Sequence, residues 1–231
     1  MRYMMLALIV LAGGAFGAVD DGLVAHWTFE EGHGAETTDV TSSALKGVLQ
    51  GGVSWTDEGV LGKALMFDGK SSSVSVASTP KTDLKMLTLS AWINASQPGG
   101  VMSFATGHGW KDERAVVHYY ASKGCLRFTL SNGEQFITAG AASPTPLNQW
   151  VHVAVTYDGH TMTIYENGLK TSSKANESIY PNTGGVAFSI GRVQGLTPNV
   201  FTGRIDEVRI YNRALSAKEV ESLFTALAPK R

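Results

Sequence analysis

The sequence predicts an all-β fold: two antiparallel sheets packed as a sandwich and closed by a short C-terminal helix. Apolar runs along the chain are short and alternate with polar residues, and turn dipeptides such as Asp-Gly and Asn-Gly separate them. The 26 glycines in 231 residues supply the tight turns that such a chain needs. One helical period appears, at the very end.

Residues 23–29 open the strand series. Residues 62–67 lead into the Asp68-Gly69 turn, residues 73–77 alternate, and residues 86–93 form the next strand. Residues 114–120, 124–130 and 134–138 follow, the last two joined by Asn132-Gly133. The clearest hairpin covers residues 150–168, with Asp158-Gly159 as a two-residue turn and Asn167-Gly168 as the next, since both pairs tolerate positive φ. Residues 186–190 and 205–211 complete the sheets. In the last of these, a period of two puts Val208 and Ile210 on one face and Glu207, Arg209 and Tyr211 on the other. The same count places Asp206 on the apolar face, where a carboxylate must find hydrogen-bond donors or a cation. The helix follows: Ser216 and Glu219 form a capping box, Leu215 is placed to staple against Val220, and Val220, Leu223, Phe224 and Leu227 recur at helical spacing.

A net charge of -1 without a Lys/Arg run excludes a nucleic-acid binder, whose affinity rests on a clustered positive field. Residues 1–18 read as a signal peptide: Arg2, an apolar run over residues 4–11, then small residues. That run is shorter than the ~20 residues that span a bilayer. The expectation is therefore an exported chain, secreted, periplasmic or at the cell surface, with no membrane span after cleavage and one domain over residues 22–227. The single cysteine, Cys125, allows no internal disulfide. Alternation puts it on the outward face of its strand with Arg127 and Thr129, opposite Leu126, Phe128 and Leu130.

Five segments, taken in order, resemble a known family: Gly22-Leu-Val-Ala-His-Trp-Thr-Phe-Glu-Glu-Gly-His-Gly34, Gly62-Lys-Ala-Leu-Met-Phe-Asp-Gly69, Leu87-Thr-Leu-Ser-Ala-Trp-Ile93, the hairpin of residues 150–168, and residues 203–215. Together they are similar to the LamG-like (laminin G-like) jellyroll domains of the concanavalin A-like lectin/glucanase superfamily. The resemblance implies a two-sheet antiparallel jelly roll with ligand loops at its rim. It also implies a structural calcium at Asp206, where the first and last strands meet, with Glu30, Asp39 and Asp68 as partner ligands. The other reading of Asp206 and Asp68 is that they accept backbone N–H groups and fix turns.

For a ligand, the polar loop of residues 107–114 offers Trp110 as a flat apolar face, with His108, Lys111 and Asp112 to hold hydroxyls. The alternative is that Trp110 folds back over a sheet edge. Tyr119, Tyr120 and Tyr180 are candidates of the same kind. His152 lies between Val151 and Val153 inside a strand and reads as structural. No alternating acidic motif of the glycosidase type occurs, and Asp57-Glu58 and Asp112-Glu113 are adjacent, so in a strand each pair would point to opposite faces. The reading that follows is an exported, non-catalytic binding or adhesion module for a glycan or glycoconjugate. Its alternatives are a structural or protein-interaction component of the cell envelope and, third, a glycan-active enzyme.

Overall fold

The computed structural model describes residues 19–105, 113–120, 124–175, 179–181, 183–193 and 200–228. The strands are β1 (Leu23–Trp27), β2 (Glu36–Thr38), β3 (Lys46–Gln50), β4 (Ser54–Thr56), β5 (Ala64–Asp68), β6 (Ser73–Val76), β7 (Leu87–Gln97) and β8 (Gly100–Ala105). After them come β9 (Glu113–Tyr120), β10 (Cys125–Ser131), β11 (Phe136–Gly140), β12 (Val151–Tyr157), β13 (Thr161–Glu166), β14 (Leu169–Ala175), β15 (Phe188–Ile190) and β16 (Thr202–Tyr211). A short 3-10 helix, Pro80–Thr82, precedes β7, and α1 (Ala217–Leu227) ends the fold. Among the described residues no helix is long and apolar enough to cross a membrane.

Two eight-stranded antiparallel sheets result. The first runs β14-β13-β12-β7-β16-β5-β4, with β1 added beside β16; the second runs β11-β10-β9-β8-β15-β6-β3-β2. Alternate residues of both meet in one core: Leu89, Ala91 and Ile93 of β7 and Val151, Val153 and Val155 of β12 face Leu126, Phe128 and Leu130 of β10 and Phe188 and Ile190 of β15. Trp27 lies stacked on Phe188 at 6.0 Å, and its indole N–H donates to the Leu45 carbonyl at 3.1 Å, so a large apolar body is buried with its polar atom satisfied. Cys125 is buried and sits, with Arg127 and Thr129, opposite the core row.

The other face of the first sheet is covered by α1. Ser216 Oγ accepts from the Glu219 N–H at 3.3 Å and Glu219 Oε2 accepts from the Ser216 N–H at 2.7 Å, which satisfies two donors that a helix start leaves free. Leu215, Val220 and Leu223 then pack with Tyr211, Tyr165 and Ala154, each large side chain contributing about 1.5–3 kcal/mol by burial. Phe224 stacks on Trp92 at 5.7 Å. Beneath it His152 is fully buried, bonded through Nε2 to Ser90 Oγ at 2.9 Å.

The face expected for Asp206 is corrected by a bulge. Ile205 pairs with Ile93 and Asp206 with Trp92, but Arg209 pairs with Ser90, so Glu207 and Val208 together oppose a single residue of β7. Glu207 takes φ 53, a left-handed conformation that costs a non-glycine residue about 1–2 kcal/mol. Ile205, Val208 and Ile210 stay in the core, whereas Asp206 points with Trp92 toward the helix side. The strain is held by pairing: Glu207 Oε2 lies 2.8 Å from His26 Nε2 and 2.5 Å from an Arg209 guanidinium nitrogen. Burial acts to raise the Glu207 carboxyl, and the His26 bond and Arg209 charge outweigh it and hold the group below its ordinary value.

β2, β3, β4, β8 and β14 are strands that sequence alternation did not mark out. The connection between β12 and β13 is also longer than a two-residue turn: Tyr157 pairs with Met162, and Asp158 Oδ1 accepts from the N–H groups of His160 at 2.8 Å and Thr161 at 2.7 Å. Asn167 and Gly168, at φ 50 and 77, form the tight turn expected of them.

Candidate functional site

One end of the sandwich gathers several connecting segments. Val76 pairs with Phe188, Phe188 with Phe104, and Tyr157 with Leu87, so β6, β8 and β12 end there and β7 begins there. The loops that leave this end are residues 77–86, the β8–β9 connection, residues 158–160, and the segment entering β15. Loops carried on rigid strands are where binding groups concentrate.

Two side chains, Thr183 and Tyr157, tie three of these loops together. Thr183 is fully buried; its Oγ1 donates to the Thr82 carbonyl at 2.6 Å and accepts from the Leu84 N–H at 2.6 Å. The Tyr157 hydroxyl reaches the carbonyls of Gly159 at 2.8 Å and Ile179 at 3.0 Å. Burial foremost, then the neighbouring Tyr180 and Asp158, pushes the Tyr157 phenol up to about 12, so it remains a protonated donor at neutral pH. Thr82 Oγ1 donates back to the Thr79 carbonyl at 2.8 Å and closes the 3-10 turn.

This framework presents Tyr180, whose ring packs edge-on against Tyr157 at 6.4 Å and is 49% exposed. Asp83 and Lys85 are exposed beside it, and with Pro181 they line an open cleft of about 450 Å³. Asp83 also borders an adjoining cleft of about 410 Å³, lined by Ser78, Thr79, Pro80, Gly184 and Gly185. Its carboxylate lies beside Gly184, where an added Cβ would come within 2.9 Å of Asp83 Cγ and would push the carboxylate aside. Among the described residues neither Asp83 nor Lys85 makes a side-chain hydrogen bond or ion pair. The arrangement joins a flat aromatic face, a carboxylate acceptor, an ammonium donor and small hydroxyls on a fixed frame. That is chemistry for holding a polyhydroxylated ring. Among the described residues Asp83 is the one acidic residue that lines either cleft, whereas retaining glycoside cleavage uses two carboxyl groups about 5–5.5 Å apart.

Of the residues that sequence reasoning nominated, His108, Trp110, Lys111 and Asp112 lie outside the described residues, although the strands that carry their loop, β8 and β9, meet at this same end. Tyr180 is at the site. Asp83 and Lys85 were missed; the Thr79-Pro80 pair, a helix-start signal, and Gly184-Gly185, a turn signal, frame them in the sequence.

The four carboxylates nominated for calcium serve turns instead of sharing one position. Asp39 accepts from Thr41 N at 2.8 Å and from the Leu45 N–H, and Asp68 Oδ1 accepts from the N–H groups of Lys70, Ser71 and Ser72 at 2.8–3.1 Å. Glu30 Oε1 accepts from Lys63 N at 2.9 Å, while Asp206 accepts from Val60 N at 2.9 Å and Glu207 N at 2.7 Å, so these two clamp one loop between β4 and β5. Among the described residues no three His, Cys, Asp or Glu side chains converge as metal ligands. Calcium takes six to eight oxygens, and these carboxylates spend theirs on backbone donors, so the set does not fit the ion. A smaller cavity of about 240 Å³ under α1, between Val19, Arg209 and Leu223, offers among the described residues a single cation, already paired with Glu207, and no carboxylate.

Comparison with known proteins matches a family model described as concanavalin A-like lectin/glucanases superfamily, of the laminin G type, over residues 68–221. No curated protein matched significantly. Among solved structures, the binding domain of Paraclostridial Mosquitocidal Protein 1 is similar at a TM-score of 0.74 and 20% identity, covering 90% of this chain and 53% of that one. Domain 4 of AbnA, a GH43 extracellular arabinanase from Geobacillus stearothermophilus solved in complex with arabinotriose, gives 0.71 and 22% identity, covering 87% and 97%. The binding domain of botulinum neurotoxin DC, solved in complex with SialylT, gives 0.69 and 15% identity, covering 90% and 52%. The chain thus spans about half the length of the two toxin chains. At these identities the likeness is one of fold.

Proposed function

The chain belongs to the laminin G-type family of the concanavalin A-like lectin/glucanase superfamily, and from that premise we propose that it is a non-catalytic carbohydrate-binding module. The observation that carries the reading is the cleft at Tyr180: an exposed aromatic ring beside an uncommitted carboxylate and ammonium, on loops stitched by Thr183 and Tyr157. A sugar stacks its C–H face on Tyr180, gives hydroxyl protons to Asp83 and accepts from Lys85. Because the frame is already fixed, little ordering entropy opposes binding. Two of the similar folds are reported with arabinotriose and SialylT, which supports a glycan as the ligand class. The single carboxyl among the described lining residues supports binding over hydrolysis.

The proposal extends to export by residues 1–18, which places the module among extracellular or surface glycans. It also extends to Trp110, with His108, Lys111 and Asp112, as further contacts from the adjacent loop. The envelope-component reading draws on β14, an exposed edge strand whose Leu169 is 70% exposed. Lys170 and Lys174 on that edge are residues that discourage strand pairing, which favours the glycan reading.

A glycan array with the purified domain tests the proposal. Wild type is expected to bind a defined subset of neutral glycans, Tyr180→Ala to lose at least about tenfold in affinity, and Trp110→Ala to show whether the neighbouring loop contributes. Full retention of binding in a folded Tyr180→Ala protein rejects the site. No binding to any glycan by a folded wild type rejects the function.

A further inference from the structure

The cleft has two halves, and Asp83 stands where they meet. On one side Tyr180, Lys85 and Pro181 enclose about 450 Å³, and on the other Ser78, Pro80, Gly184 and Gly185 enclose about 410 Å³. Each half alone falls within the ~300–1,000 Å³ of small-molecule sites. The halves differ in character: one carries the aromatic ring and the ammonium, whereas the other is walled by a proline ring, the two hydroxyl residues Ser78 and Thr79, and two glycines. Gly185, at φ +74, faces open space, with no atom within 4 Å of where a Cβ would stand. Both walls are fastened, because Thr183 ties the glycine segment to the Thr82–Leu84 backbone on either side of Asp83.

We propose, resting on the carbohydrate reading above, that this cleft recognises a neutral glycan chain of at least two linked sugar units and not a terminal monosaccharide. One ring stacks on Tyr180; the next lies against Pro80 and the Gly184-Gly185 backbone; Asp83 accepts hydroxyls from both sides of the linkage. The second half discriminates by space, the first by stacking. The negative charge at the junction sets the ligand class. A uronate carboxylate on either ring beside Asp83 meets like charge, and Lys85, which among the described residues lines the first half alone, offsets this for one ring only.

Calorimetric titration with glucan, xylan, arabinan and mannan series, each as mono-, di- and trisaccharide, tests this, with trigalacturonic acid as the acidic probe. The expected result is an affinity rising about tenfold or more from mono- to disaccharide in the best series, and weaker binding of the acidic trimer. Ser78→Trp fills the second half from an exposed loop position; it is expected to abolish the rise from mono- to disaccharide, with a melting curve to show that the variant is folded. Length-independent binding that is still lost in Tyr180→Ala overturns the two-unit inference and leaves the carbohydrate reading intact. Undiminished disaccharide affinity in Ser78→Trp overturns it as well, and trigalacturonic acid bound as tightly as the neutral trimer overturns the charge assignment. No binding of any member by wild type overturns both readings.

Discussion

Tyr157 and Tyr180 sit edge to face at 6.4 Å, one buried and one half exposed, and the buried ring holds the exposed one in place. The Tyr157 hydroxyl also anchors the carbonyl of Ile179, the residue just before Tyr180. Tyr157→Phe keeps the ring contact and removes the anchor. A stability loss of about 1 kcal/mol is expected, as for a typical buried hydrogen bond, with a several-fold loss of glycan affinity although no ligand contact is touched. Thermal melts and titration of the variant check this. Unchanged affinity would show that Tyr180 is positioned without the anchor.

Asp206 and His152 make opposite demands on pH. Burial, aided by the Glu207 charge and resisted by backbone N–H bonds, raises the Asp206 carboxyl from 3.8 to about 7. Between those values the folded state holds a proton that the unfolded chain releases, so this term makes stability fall as pH rises from about 4 to 7. His152 is lowered from 6.5 to about 3 by burial and by Arg209. Its unfolded form takes up a proton that the folded form refuses, so its term makes stability rise from about pH 3 to 6.5. The two oppose each other across the middle of this range. Relative to wild type, Asp206→Asn is expected to melt with a steeper rise toward neutral pH, and His152→Gln with a fall. Parallel curves for all three proteins would refute the opposition.

Removing the Asp206 carboxylate is a different matter from neutralising it. Asp206→Ala leaves the N–H groups of Val60 and Glu207 without their acceptor and is expected to cost about 2–3 kcal/mol. Calcium should have no part in that loss. EDTA followed by excess calcium is expected to leave the melting temperature of wild type unchanged, and a calcium-dependent rise would restore a metal at this corner.

At the helix start, Arg213 pairs with Glu219 Oε1 at 2.6 Å while Glu219 completes the capping box. The Arg213 bond foremost lowers the Glu219 carboxyl to about 2. This stabilisation is full above about 4.5, the ordinary value, and is lost as pH falls through about 2. Ser216→Ala removes one cap and is expected to cost about 1 kcal/mol, or about 2–4 °C in melting temperature for a chain of this size. Arg213→Ala is expected to cost up to about 1 kcal/mol, and the deficit should shrink in acid.

Much of the fold could be read from local signals: the Ser216–Glu219 box, the Asn167-Gly168 turn and the Val208/Ile210 face are all sequence patterns with one physical meaning. The error at Asp206 has a definite source. Counting by twos assumes an unbroken ladder, and a bulge at a glutamate in left-handed conformation leaves no mark in the residue types. β2, β3, β4, β8 and β14 were missed for a related reason: most are short or lie at sheet edges and carry too few buried side chains to alternate visibly. The site was harder still. Tyr180 could be picked out as an aromatic beside a proline, but Asp83 becomes its neighbour only because Thr183 bonds the Thr82–Leu84 backbone from about one hundred residues away, a contact that no sequence window contains.

β16 is the last strand in chain order among the described residues, yet it lies in the middle of its sheet, with β7 on one side and β5 and β1 on the other. Until Thr202–Tyr211 arrives, β7 and β5 present open edges and cannot meet. A nascent chain therefore holds an unfinished sheet until β16 has emerged, and completes it in a long-range step of the kind that slows folding. A truncation that spares every residue of the Tyr180 cleft but removes β16 would be expected to lose the cleft with the fold, because the strand that closes the sheet is also the one that licenses everything made before it.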